Sequence, residues 1–292
     1  MVFKKTVVWG CPLHQHTNSY VYAAYYKAFK YMGFDAYWLN STSDVSGMDF
    51  SDTLFFTEGQ HDGNIPIRND CKYILHNCSN PKYKDLNPEN KLGLQVYTND
   101  VLIYDTQKVD DGVYVAKGGR GLFQPWATDL LPNEINMAWA DIPRKREIHW
   151  VGTMGDGLFG NRNEIEAFVK EARKEGISFS CHGPGSTSFE DNLALIQKSF
   201  LAPAIHGTWQ AKQGYIACRI FKNVSYGHLA ATNCKAAADL FQGNVIYAAD
   251  TAQLFHESKK KTGDKRMILE AMKLVRDKHT YVNRIKQILS MF

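Results

Sequence analysis

Short apolar strands alternate with an amphipathic helix through the first 105 residues, and the same alternation restarts near residue 147. Few folds accept that order. Strand, helix, strand at this spacing argues for a parallel sheet with right-handed crossovers. Lys5–Gly10 reads as the first strand, and the polar loop Cys11-Pro-Leu-His-Gln-His-Thr-Asn18 follows it. Val21, Ala24, Tyr25, Ala28, Phe29 and Met32 then form one helical stripe, with Asn18 or Ser19 to cap it and Gly33 to end it. Phe34–Leu39, Thr53–Thr57 and Lys72–His76 continue as strands, with Gln95–Thr98 and Val101–Tyr104 as weaker candidates.

From 117 to 146 the pattern lapses into a stretch holding Gly118, Gly119, Gly121, Pro125, Pro132 and Pro143, which reads as a connection between domains. Beyond it Glu147–Val151 predicts a strand, 161–175 a helix, Ile177–Cys181 a strand and Asp191–Phe200 a helix. Leu201–Ile205, Leu229–Thr232 and Val245–Tyr247 read as further strands, Cys218–Tyr226 as a helix, and 265–292 as charged helices. The expectation is two doubly wound α/β domains, 1–140 and 145–262, with helices over 263–292 that pack back on the first domain. In such sheets ligands bind beyond the carboxyl ends of the strands, so a cleft between two facing domains is the expected site.

A length of 292 residues fits two domains of ordinary size. The apolar share of 44% argues against wholesale disorder. With 34 Lys and Arg against 30 Asp and Glu, the net charge of +4 is too small to argue for nucleic acid and suits an anionic ligand. No apolar run approaches the ~20 residues that span a bilayer, and the start is too short in apolar residues for a signal peptide. The six cysteines are scattered without a Cys-x-x-Cys pair and read as reduced thiols, so a cytoplasmic location is expected.

One segment carries chemistry. In Cys218–Tyr226 the apolar face is Ile220, Phe221 and Val224, while Arg219, Lys222 and Asn223 share another. Two cations near a helix N-terminus oppose the helix dipole, and no acid lies nearby in sequence to offset them. A bound phosphate removes the conflict, since helix N-termini suit phosphate and Arg grips it bidentately.

The run Arg219-Ile-Phe-Lys-Asn-Val-Ser-Tyr-Gly-His-Leu-Ala-Ala-Thr232 resembles the donor-binding region of GT-B fold glycosyltransferases, often Arg-x-Phe-Glu-Ala-Leu-Ala-x-Gly-x-x-Val-Val-Thr. Leu240-Phe-Gln-Gly-Asn-Val-Ile-Tyr-Ala-Ala-Asp250, Trp150-Val-Gly-Thr-Met, Asn161-Arg162 and His182-Gly-Pro-Gly are similar to other parts of that domain. The resemblance covers roughly 147–258 and is nearest to the CgeB-like, group 1-like donor domains; Tyr-Ile-x-x-Arg-Ile-Phe also resembles fucosyltransferases. It implies a GT-B enzyme of hexosyltransferase type: two Rossmann-like domains, a nucleotide-diphosphate sugar as donor, a glycan or other hydroxyl as acceptor. No cofactor beyond the donor and no metal is expected. Nucleic acid is not an expected partner. Donor contacts then fall to Arg219, Lys222, Asn223, Gln213, Gly214, Tyr215, Gly152 and Thr153, with His182 and Gly183 toward base or ribose. Many retaining members carry Glu where this chain has Lys222, which leans the reading toward inversion. Inversion needs a base on the acceptor side. His16 and His14, in the loop after the first strand, are the first candidates. Glu58, His61 and Asp62, after the third, are their rivals.

Three other readings share these residues: a sugar-nucleotide epimerase of GT-B-like fold, a sensor that binds a nucleotide sugar without turnover, and a glycosyltransferase acting on modified DNA bases. Gly155-Asp-Gly-Leu-Phe-Gly160 fits the dinucleotide fingerprint, yet Ile177–Gly183 ends without the acid that would hold a ribose. The basic run 259–266 reads as a solvated loop.

Overall fold

In a computed structural model, the protein is described over residues 3–57, 61–76, 83, 85–98, 106–110, 113–116, 121–183 and 185–292. The strand expected over Val101–Tyr104, and Glu58, lie outside them. The chain divides into two compact units, Met1–Pro125 with Tyr281–Phe292, and Trp126–Thr280.

The first unit holds β1 (Lys5–Trp9), α1 (Ser19–Tyr31), β2 (Ala36–Leu39), β3 (Thr53–Thr57), β4 (Lys72–His76), β5 (Lys91–Gln95), a hairpin of β6 (Thr106–Asp110) and β7 (Val113–Ala116), and β8 (Gly121–Phe123). The main sheet runs β2-β1-β3-β4-β5-β8 with every pairing parallel. Every residue of β3 is buried, as expected of a central parallel strand covered on both faces. On one face Val7, Trp9, Phe55, Tyr73 and Leu75 form a core cluster. On the other, Tyr25 of α1 stacks on Phe56 at 4.0 Å.

The second unit holds β9 (Glu147–Val151), α2 (Arg162–Lys174), β10 (Ser178–His182), α3 (Phe189–Lys198), β11 (Ala202–Ala204), α4 (Thr208–Lys212), α5 (Cys218–Ser225), β12 (Ala230–Thr232), α6 (Lys235–Leu240), β13 (Ile246–Tyr247), α7 (Thr251–Lys260) and α8 (Lys265–Lys278). β10-β9 and β11-β12-β13 are parallel. Just before β11, Phe200 N–H donates to the Glu147 carbonyl of β9 at 2.6 Å, so the strands follow the order second, first, third, fourth, fifth. The first unit begins its sheet the same way. In both, the order reverses between the first and third strands, the switch point where α/β sheets bind ligands.

The expected domain limits differ from these units. Part of the stretch read as a connection is β8, the last strand of the first sheet. Residues 126–140 and α8 group with the second unit, and only the last helix, α9 (Tyr281–Leu289), returns to the first. Its buried Arg284 donates through Nε to the Pro125 carbonyl at 2.8 Å. Gln124 Nε2 donates to the Arg284 carbonyl, and Tyr25 Oη donates to Gln124 Oε1.

Candidate functional site

The carboxyl end of β9 and the start of α5 meet at Arg219. Its Nη1 donates to the Val151 carbonyl at 2.6 Å, and its guanidinium carbon lies 3.7 Å from the centre of the Trp150 ring. Gly152 turns with φ +127°, and a Cβ there would stand 2.6 Å from Arg219 Nη2. Only glycine allows both the backbone turn and this approach. Burial pulls the Arg219 pKa down to about 10, which leaves it charged at neutral pH. Among the described residues no carboxylate lies within ion-pair distance of it. Ala217 precedes α5 and supplies no side-chain cap, so the cap residue itself offers no acceptor to the first-turn N–H groups.

Lys222 and Asn223 share the helix with Arg219 but are engaged otherwise. Lys222 Nζ lies 2.8 Å from Asp129 Oδ2, and the Tyr226 hydroxyl donates to the same carboxylate at 2.8 Å. Burial works against the Lys222 charge, but Asp129 outweighs it and its pKa is raised. The acid missing from the neighbouring sequence thus arrives from the segment ahead of β9. Asn223 is buried and its amide donates to the Ala202 carbonyl at 3.0 Å, fastening α5 to β11. A small cavity of about 60 Å³ runs past Arg219, Lys222, Cys218 and Tyr226.

Gln213 ends α4, Gly214 follows with φ +71°, and the Tyr215 hydroxyl accepts from Trp126 Nε1 at 2.9 Å. The His182 carbonyl accepts from Gly152 N–H at 2.7 Å, and its ring Nε2 lies 3.1 Å from His149 Nδ1. Thr153 is exposed and its carbonyl accepts from Trp150 Nε1; the Gly183 carbonyl accepts from the Ser186 hydroxyl. Arg219, Gly152 and His182 are therefore brought together, while Gln213, Gly214 and Tyr215 stand at the end of α4.

Sequence reasoning missed His206, at the end of β11. It is 3% exposed, its ring meets Tyr215 edge-on at 5.7 Å, and burial followed by the Arg219 charge pushes its pKa down to about 4. Its place after the third strand of the unit was the available signal.

The fingerprint-like run Gly155–Gly160 does different work from dinucleotide binding. The Gly155 carbonyl accepts from Asn161 N–H and Arg162 N–H at 2.9 and 3.0 Å, so it covers the start of α2 that a pyrophosphate would need. A Cβ on Gly207 would stand 1.8 Å from the Gly160 carbonyl oxygen. The glycines let two loops touch.

In the first unit, His14 holds φ +72° and its Nδ1 lies 3.1 Å from the Tyr20 hydroxyl. His16 Nδ1 accepts from Asn18 N–H, and its ring lies 5.0 Å from that of His61. The loops after β1 and β3 thus bring two imidazoles together at the switch point of this sheet. Asp62 is buried and accepts from the Tyr83 hydroxyl at 2.5 Å. In the basic run, Lys259, Lys260 and Lys265 pair with Glu175, Glu257 and Asp141. No helix among the described residues is long and apolar enough to cross a membrane.

Residues 162–290 match the family model described as glycosyl transferase-like. No protein of curated function matches the chain by sequence. By structure the chain is similar to an alpha,alpha-trehalose-phosphate synthase (UDP-forming) from Burkholderia xenovorans, in complex with glucose-6-phosphate. The TM-score is 0.49 at 10% identity, covering 95% of this chain and 79% of that one. The family match starts at the first residue of α2 and takes in α5 with Arg219. Residues 162–290, which take in most of the second unit, are therefore similar to glycosyl transferase-like proteins.

Proposed function

We propose that the chain moves a sugar from a nucleotide-diphosphate sugar to an acceptor hydroxyl, with inversion and without a metal ion. The observation that carries the reading is Arg219, a desolvated cation with no carboxylate partner among the described residues, seated over the backbone of Val151 and Gly152. An unpaired charge in such a place is costly unless a ligand completes it. A diphosphate completes it, because guanidinium and phosphate share bidentate geometry.

As the bond from the sugar carbon to the diphosphate oxygen lengthens, negative charge grows on the departing phosphate. Arg219 and the first-turn N–H groups of α5 are donors fixed in advance for that charge. Lys222 acts on it through its field, since its ammonium is held by Asp129. The acceptor hydroxyl loses its proton to a base in the first unit. His16 is the leading candidate, because its ring sits beside His61 in the loops at the sheet's switch point. His14, Asp62 and Glu58 are the alternatives. Gly152, Thr153, Gln213, Gly214 and Tyr215 complete the donor side, with His182 and Gly183 toward the ribose, and the reaction uses no cofactor beyond its donor and acceptor substrates.

Arg219→Ala is the test. Losing a charge-assisted hydrogen bond pair lowers donor affinity about tenfold to a hundredfold. Transfer from UDP-, GDP-, CDP- and dTDP-sugars that is equal in wild type and variant would contradict the proposal.

A further inference from the structure

A buried histidine that the reaction does not use stands behind His182. His149, on β9, is 8% exposed. Its Nε2 lies 3.4 Å from a Glu147 carboxylate oxygen, and its Nδ1 lies 3.1 Å from His182 Nε2. The two rings are 5.3 Å apart at 43°. In the parallel register Ser180 pairs with His149 and His182 with Val151, so Glu147, His149 and His182 share one face of the sheet.

The protons in this row follow from charge. His149, the first acting cause, and then Lys198 and Lys145 hold the Glu147 carboxyl below its ordinary range, so it is ionised; Lys198 Nζ is 4.0 Å away. Burial lowers the His149 pKa more than Glu147 raises it, so this imidazole is neutral and carries one N–H. The Nε2–carboxylate contact lacks hydrogen-bond geometry and acts through charge: a carboxylate repels a lone pair, which favours the N–H on Nε2 and Nδ1 as the acceptor. His182 then donates from Nε2, which in the neutral ring leaves its own Nδ1 with a lone pair.

We infer that Glu147 and His149 are positioning residues that present Nδ1 of His182 as a hydrogen-bond acceptor for a ribose hydroxyl of the donor nucleotide. The inference rests on the donor reading above. Ribose is the fitting group because the His182 carbonyl is bonded to Gly152 N–H, next to Arg219, and ribose adjoins the diphosphate in a nucleoside diphosphate. An imidazole acceptor rewards a hydroxyl and gains nothing from a hydrogen in its place. The same tautomer logic, an outer partner fixing which ring nitrogen is bare, orders the histidines of metal sites.

Two measurements on the full chain test it. Nitrogen-15 NMR of the ligand-free protein, with signals assigned through His149→Phe and His182→Gln, should find the His182 proton on Nε2; a proton on Nδ1 overturns the inference. Calorimetry then compares UDP, GDP and CDP with their 2′,3′-dideoxy counterparts. The wild type should prefer the ribose form of its ligand about tenfold, a single hydrogen bond's worth. His149→Phe should lose that preference while melting as a folded protein. His149→Gln, whose amide oxygen can accept from His182, should keep it. Full preference in His149→Phe overturns the positioning role. Binding without any ribose preference in the wild type overturns the ribose assignment alone, whereas no binding of any nucleoside diphosphate overturns the donor reading with it.

Discussion

Arg219 and Lys222 stand one helical turn apart, and their surroundings give them opposite fates. Lys222 has Asp129 at 2.8 Å, and both side chains are largely buried. Removing one partner of a buried pair strands the other, at a cost of about 3–5 kcal/mol. Asp129→Ala should lose stability of that order in urea unfolding, and an unchanged midpoint would contradict the pairing. Arg219 has no such partner among the described residues, so its charge is a burden on the ligand-free fold. Arg219→Met should melt at or above the wild-type temperature, and a fall of more than about 5 °C would show that the side chain serves the fold instead. The sequence made Arg219 legible, since its conflict with the helix dipole is local. It could not show Asp129, which reaches Lys222 from 93 residues away only once both segments are folded, nor the fastening of Asn223 to β11.

At the scale of elements, the alternation of strand and helix was readable wherever the apolar period ran long enough. The stripe from Val21 to Phe29 became the buried face of α1, and Ile165, Phe168, Val169 and Ala172 that of α2. What escaped was short or depended on remote neighbours. The five residues of α4 are too few to show a period. β8 is three residues long in a glycine-rich stretch, and it forms because β5 offers it a partner. The Gly155–Gly160 run matched a nucleotide-binding pattern, yet its glycines answer to contact between loops, which spacing alone does not distinguish from contact with a ligand. Gly207→Ala places a methyl group 1.8 Å from the Gly160 carbonyl oxygen, where backbone rather than a side chain must move. Overpacking of this kind costs about 1–3 kcal/mol or more, so a clear loss in melting temperature is expected. An unchanged melt would mean that the two loops are not packed as described.

At the scale of the whole molecule, three buried histidines make stability depend on pH. Burial takes His76 down to about 3. His206 is taken to about 4 by burial and then the Arg219 charge, and His228 to about 4 by burial and then the Arg144 charge. Unfolded, each returns to about 6.5. The unfolded chain therefore binds more protons between these values, and the stability the neutral rings confer is whole above about pH 6.5 and is lost as pH falls toward 4. Each contributes on the order of 3 kcal/mol at most over that window. Urea midpoints should fall steadily from pH 7 to pH 4.5, and a flat profile would contradict the burial of these rings. The proposed transfer depends on an anion binding at Arg219 in the second unit. Its most direct test is calorimetric binding of UDP, GDP, CDP and dTDP to the wild type and to Arg219→Ala. Binding of at least one by the wild type, weakened tenfold or more in the variant, is expected. Equal binding by both, with the variant still folded, would contradict it.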